Sequence, residues 1–400
     1  MIVTKILPVL AAVGSAVAQS SCKATTTTVA SQAEATKIAS CKKFEGSVVV
    51  TGDGGIDLSG PSEITGDLKV FNISNLDYIT SSTLRKVGGK FTLQALEKLN
   101  RVEFPSLTEV GSLTFQALPA LDAVTLGPLS KADEVAISDT FTSRVDMINV
   151  TTIRSLDINN NKRLTSFVSA LQTVTGALKI SANGIGLGLE VELPNLIWAN
   201  ELAIANVTTF DVPSLRVVNG SARFDSNFFE SFIAPNLTHT EKGDISFVGN
   251  GALTNLSFPV LTELGGGLLI ANNTELEEID AFPKLRKVGG AVKLRGSFKD
   301  VDFPSLEVVL GAFDVSSTED IRKVCDKLKE LAPAHQGGNG KVEGTFTCTS
   351  DNAAANEDTG AGSTGDGQID GSDDESSAAG VVFNTALFGL VAVAAVASAL

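Results

Sequence analysis

The sequence predicts an all-β-dominated fold, a right-handed parallel β-solenoid of about 13 rungs with a short capping helix at each end. Three observations predict it. First, one short motif recurs thirteen times, from Gly46-Ser-Val-Val-Val50 to Gly311-Ala-Phe-Asp-Val315, at intervals of 20–24 residues. Second, the third and fifth residues of every copy are apolar, from Val48 and Val50 to Phe313 and Val315. Alternation of period two, rich in β-branched and aromatic residues, is that of a strand with one face inward. Third, a Pro-x-Leu arc precedes most copies, as in Phe104-Pro105-Ser106-Leu107 and Phe303-Pro304-Ser305-Leu306. Proline lacks an amide donor and is unwelcome inside a central strand, so it begins a corner, and the Leu two residues on points into the core.

Stacking these copies makes one long parallel sheet, with strands about 4.8 Å apart and a length on the order of 60 Å. Asn161, Asn183, Asn227, Asn250 and Asn273 all occupy the eighth place of their repeats. An inward Asn there can satisfy turn amides rung after rung, a structural role rather than a catalytic one. The ends of a solenoid need covers. Ser31-Gln32-Ala33-Glu34 reads as a capping box that opens a short helix toward Cys41. At the other end Ile321, Val324, Cys325, Leu328 and Leu331 recur at helical spacing, and Gly344-Thr-Phe-Thr-Cys348 repeats the strand pattern once more.

The termini are read separately from this folded region, 19–348. Residues 1–18 carry one Lys, an apolar run and Ala16-Val17-Ala18, the pattern of a secretory signal peptide. Residues 349–377 are acidic and rich in Ser and Gly, as expected of a solvated, disordered stalk. Residues 378–400 are uncharged and mainly apolar. A hydrophobic tail behind a polar spacer and a cluster of small residues is the signal for a GPI anchor, with the tail removed. Attachment is expected near Asp370-Gly371-Ser372, at Gly371.

Secretion allows disulfides. The four cysteines, Cys22, Cys41, Cys325 and Cys348, fall as one pair near each end of the folded region. Three connectivities are possible. The local one, Cys22–Cys41 and Cys325–Cys348, is favoured because each bridge would clamp one end. A zinc site is the alternative, but no CxxC occurs. Acceptor sequons for N-glycosylation lie at Asn72, Asn149, Asn206, Asn219, Asn236, Asn255 and Asn272. Asn72, Asn206 and Asn272 share the seventh place, just past the strand.

Composition removes several classes of function. The chain has 31 basic and 46 acidic residues, a net charge of −15, which opposes nucleic-acid binding. Two histidines, His239 and His335, leave little room for a His-based metal site or triad. There is no G-x-S-x-G, and Gly337-Gly-Asn-Gly-Lys341 lacks the spacing of a phosphate loop. Gly184-Ile-Gly-Leu-Gly188 is not a dinucleotide fingerprint, and Asp366–Asp373 fails the spacing of a calcium loop. No cofactor is expected. A wall-glycan hydrolase or transglycosidase needs only two facing carboxylates, but the many acids read more simply as solvated surface. The outward column of the sheet, from Lys69 to Asp314, mixes signs and holds no aromatic, with Phe71 two places from Lys69 the exception. That scarcity of ring platforms argues against a lectin-like sheet face, though not against binding by the loops.

The disulfide-clamped stack of Pro-x-Leu and Gly-x-Leu-x-Ile repeats resembles the leucine-rich, receptor L-domain fold of insulin- and EGF-type receptors. Together with the signal peptide, the sequons and the C-terminal tail, it is similar to the fungal GPI-anchored cell-wall organisation proteins, the sporulation-specific-protein-like family. The resemblance implies a non-enzymatic cell-surface glycoprotein, at the outer leaflet of the plasma membrane and in the wall, needed for wall integrity. Its partners would be wall components or other surface proteins, with the membrane reached through the GPI lipid. It supplies no catalytic residues. Receptor dimerisation does not transfer, because the cysteine-rich modules of those receptors are absent. A receptor-like binder of a protein or wall glycan is the alternative reading.

Overall fold

A computed structural model of the chain describes residues 22–186 and 188–357. The expected signal peptide, the tail with Gly371 and all but the start of the stalk lie outside the described residues.

The thirteen copies form consecutive strands of one continuous parallel sheet, and the ladder runs in the repeat register. Val48 stands opposite Leu68, Leu68 opposite Phe91, and so on through Val292 opposite Phe313. Every third-place and fifth-place side chain is buried. A strand not foreseen, Lys23–Val29, adds a further rung ahead of the first copy and pairs in parallel with Lys43–Val50. Its sequence, Lys-Ala-Thr-Thr-Thr-Thr-Val, carries neither the glycine nor the apolar alternation that marks the others. At the far end Phe346–Thr349 pairs with Phe313–Ser317, which sets Cys348 opposite Val315.

The corners follow from local chemistry. In each Pro-x-Leu arc the Leu amide donates to the carbonyl of the residue before Pro, as in Leu107 to Phe104 at 3.0 Å and Leu306 to Phe303 at 3.2 Å. These are β-turns with Pro in the second position, where its fixed φ is already correct, and their Leu side chains are buried. The glycine that opens many copies permits close stacking: a Cβ at Gly111 would fall 2.6 Å from the Gly89 carbonyl oxygen.

Past each strand the seventh place adopts the left-handed conformation in ten successive rungs, from Asn72 (φ 56°) to Asn272 (φ 54°). Asparagine tolerates this region; alanine, which holds it at Ala95, Ala117 and Ala182, does not. A left-handed L-residue costs about 1–2 kcal/mol, and glycine returns roughly 0.5–1 kcal/mol of that through its freer unfolded chain. Ala117→Gly and Ala182→Gly are therefore expected to stabilise the protein by about 0.5–1 kcal/mol each. A lowered urea midpoint in both would show that the corner is not held by backbone conformation.

Opposite the main sheet, the described residues form four short parallel sheets rather than one. The first joins Gly54–Asp57, Leu76–Thr80, Arg101–Phe104 and Ala123–Leu126; the second joins Ser166–Val168, Leu189–Glu192 and Val207–Asp211. Ser231–Ile233 pairs with Asn255–Ser257, and Glu278–Ile279 with Asp300–Val301. Between the two faces lies a single apolar core. Much of the phenylalanine is spent there: ring contacts run from Phe210 through Phe232, Phe258, Phe282 and Phe303 to Phe313 and Phe346.

The eighth-place asparagines form the expected ladder. Each is buried, and the Asn227 and Asn250 side-chain amides donate to the next Asn oxygen at 3.0 Å. Backbone amides join the same acceptors, Asn250 N to Asn273 Oδ1 at 2.8 Å among them. The ladder is interrupted at Val207, whose own amide still donates to Asn227 Oδ1 at 3.1 Å.

Both end helices form, at Gln32–Ile38 and Arg322–Leu328. The capping box at the first differs from expectation. Ser31 is extended (φ −161°) and its hydroxyl makes no cap bond, while the Glu34 carboxylate accepts from the Ala30 amide. The helix instead covers the edge of the first small sheet. Gln32 Nε2 donates to Asp57 O at 3.0 Å, and Asp57 N donates to Gln32 Oε1 at 2.7 Å, so one side-chain amide stands in for a missing strand. The structure joins Cys22 to Cys41 and Cys325 to Cys348. Packing continues beyond residue 348: Asn352 N donates to Ser317 O at 2.8 Å and Ala355 is fully buried.

Candidate interaction surfaces

The outer face of the main sheet is mostly polar or charged, as the repeat places it. Rung-to-rung ion pairs decorate the rims, among them Lys86 with Glu109 at 3.3 Å, Lys287 with Glu263 at 2.6 Å and Arg286 with Glu307 at 2.7 Å. Exposed pairs of this kind contribute little each. His239 lies between Thr238 and Glu241, with Nδ1 2.9 Å from Thr238 Oγ1 and Nε2 3.0 Å from Glu241 Oε1.

One stretch of this face departs from the expected solvation. Leu269, in the outward column between Ser246 and Lys293, is only 5% exposed. Ala271 and Ala291 beside it are buried too. Two rungs before Leu269, Asp225 lies in register with Ala205 and Val248. Burial raises its carboxyl above the ordinary range, and the Arg223 charge offsets only part of that. A carboxyl whose pKa is raised on folding costs stability above its unfolded value and ceases to do so below it. Asp225→Asn is therefore expected to stabilise the protein at neutral pH. The gain should shrink as the pH falls through the raised value and vanish below about 3.8, the unfolded carboxyl value. A gain independent of pH in thermal melts would refute this origin.

The opposite face holds two grooves where its small sheets break. The first gap, between Ala123–Leu126 and Ser166–Val168, is filled by irregular chain; a groove of about 350 Å³ there is lined by Ser143–Asp146 and Thr165–Val168. The second gap separates Val207–Asp211 from Ser231–Ile233. It opens a groove of about 640 Å³ lined by Thr208, Thr209, Asp211, Phe228, Glu230, Ile233 and neighbours. Strands that do not pair part from each other, and the space between them is left to side chains. Exposed apolar residues gather on this side: Phe141, Val168, Ile185, Phe228 and Ile233 are 39–76% exposed. The repeat pattern does not mark them. The one available signal was Phe228-Phe229, where strand-like alternation must turn one ring outward; Phe229 is 3% exposed and Phe228 39%.

None of the seven sequon asparagines is buried. Asn72, Asn149, Asn236 and Asn255 are exposed, while Asn206, Asn219 and Asn272 are partly covered. Asn206 Nδ2 donates to Ser226 O at 3.2 Å, Asn236 Nδ2 to Pro213 O at 2.7 Å, and Asn219 Nδ2 to Asn200 Oδ1 at 2.6 Å. Among the described residues no group of three or more His, Cys, Asp or Glu is placed to hold a metal ion. No described helix is long and apolar enough to cross a membrane.

Fold and surface together define a class: a long parallel β-solenoid, bridged at both ends, with no sequon asparagine buried. Residues 1–39 match the Ecm33 family model, described as GPI-anchored cell wall organization protein. Protein ecm33 of Aspergillus fumigatus is 36% identical over 367 residues, 90% of this chain and 88% of the relative. Cell surface GPI-anchored protein ECM33 of Candida albicans is 30% identical over 354 residues, 86% of this chain and 83% of the relative. Sporulation-specific protein 2 of Saccharomyces cerevisiae is 35% identical over 318 residues, and the chain spans 62% of that relative's length. No solved structure matches the chain. The chain belongs to the Ecm33 family of fungal GPI-anchored cell-wall proteins.

Proposed function

We propose that this protein is a non-enzymatic structural and interaction protein of the fungal cell surface, held by a GPI lipid on Gly371 and contributing to cell-wall organisation. The observation that carries the reading is the shape of the folded region: a bridged rod of stacked rungs with unburied sequon asparagines spread along its length. A rod of this kind presents a long, repetitive surface suited to many weak lateral contacts with wall polymers or surface proteins. The Candida albicans relative is named as a cell surface GPI-anchored protein, which supports the same reading. Anchoring is tested directly. Phosphatidylinositol-specific cleavage is expected to release the protein from membranes, and the mature C-terminal peptide should end near residue 371. Resistance to cleavage together with an intact C-terminal peptide in mass spectra would overturn it. Catalysis is tested by incubating the purified rod with wall polysaccharides, where no change in chain length is expected.

A further inference from the structure

We propose that the groove at the second sheet break is the seat of the protein's own N-glycan, attached at Asn206 and resting on the Phe228 ring. The proposal deepens the reading of a secreted glycoprotein and rests on it.

The geometry begins at the sequon Asn206-Val207-Thr208, whose third residue lines the groove. Asn206 sits at the left-handed corner with φ 56°, and its Nδ2, the atom that would carry the sugar, lies 3.2 Å from Ser226 O on the next rung. Two residues on from Ser226, the Phe228 amide donates to Val207 O at 2.8 Å. Phe228 is thereby fixed beside the sequon. Its ring reaches back over the glycosylation corner: a Cβ on Gly188 would fall 3.2 Å from Phe228 Cδ2 and 2.3 Å from Asn206 O. Ring edge and Asn206 carbonyl converge on one glycine, which admits both.

An aromatic face beside apolar Ile233, ringed by Thr209, Asp211, Glu230 and Ser231, is the chemistry that holds a neutral sugar. Its C–H face packs on the ring and its hydroxyls donate to the oxygens. The charged residues lining the groove are both acidic, which disfavours an anionic glycan. Tethering supplies the occupant at high effective concentration, so a weak contact suffices to keep it seated.

The same repeat supplies a control. Asn72 occupies the same seventh place, with the same backbone conformation (φ 56°), but the position on its next rung equivalent to Phe228 is Glu97. The full chain secreted from a eukaryotic host is treated with endoglycosidase under native conditions, and site-by-site release is followed by glycopeptide mass spectrometry. The Asn206 glycan is expected to be released roughly 3- to 10-fold more slowly than that on Asn72, the factor an aromatic contact of ordinary strength confers. Phe228→Ala should abolish the difference, and Phe228→Leu, which keeps apolar bulk without the ring face, should remove most of it; thermal melts of each variant confirm that the rod is folded. Equal release at both sites in the unaltered protein, or protection that survives Phe228→Ala, would overturn the proposal. So would an unoccupied Asn206 alongside an occupied Asn72, which leaves the glycoprotein reading intact. A chain free of glycan at every sequon overturns both.

Discussion

Ile180→Asp is expected to abolish secretion of folded protein, while Lys179→Gln, one residue earlier, leaves yield and thermal midpoint close to the unaltered protein. Ile180 belongs to the fifth column, fully buried, with Ile158 and Ile204 directly opposite it on the adjoining strands. A carboxylate there has aliphatic neighbours above and below, and an isolated buried charge costs several kcal/mol even after relaxation. Domains have only about 5–15 kcal/mol to lose. Lys179 points to the opposite face, in register with Asp157 and Ala203, so glutamine exchanges one solvated chain for another. Secreted yield and melting of the two variants decide it, and greater damage from Lys179→Gln would put the register out by one.

The second large effect is expected in the asparagine ladder. Asn250→Leu should destabilise the protein by roughly 3 kcal/mol or more. The Asn250 oxygen accepts from both Asn227 N, at 2.8 Å, and Asn227 Nδ2, at 3.0 Å, and Asn250 Nδ2 donates to Phe224 O at 2.9 Å. Leucine has similar volume but satisfies none of these buried groups, and each orphaned one costs about 1–3 kcal/mol. Ser246→Ala on the outer face of the same rung should cost far less. Urea unfolding distinguishes the cases; a loss from Asn250→Leu no greater than from Ser246→Ala would mean the ladder is ornament rather than support. Val207, which already interrupts the ladder, shows that one rung without Asn is tolerated when its neighbour's side chain still reaches the backbone amide.

Legibility in the sequence varied with how local the cause was. The turn at Phe104-Pro105-Ser106-Leu107 could be read because proline dictates its own φ, and the Asn columns because they keep a constant offset from the strand. The Lys23–Val29 rung could not, since its threonines carry no inward apolar pair and its place is set by the Cys22–Cys41 bridge and the strand it joins. Ser31-Gln32-Ala33-Glu34 marked the helix start correctly but misassigned its chemistry, because Gln32 is engaged by Asp57, a full rung away. Phe228 was hidden for a related reason: the Phe228-Phe229 pair requires one ring to face out, but in a chain with 21 phenylalanines, most of them stacked inward, only the neighbouring rungs decide which.

The rung register, the inward columns and the corners were determined by the sequence alone, since side-chain alternation and proline geometry act within a few residues and recur thirteen times. Where the second face breaks, and hence where the grooves open beside Asn206 and Phe228, was decided only by the tertiary structure. Adjacent strands pair there only if loops of unequal length, 20–24 residues from rung to rung, bring their amides into line. That alignment is a property of two neighbouring rungs together, and neither one's residues contain it.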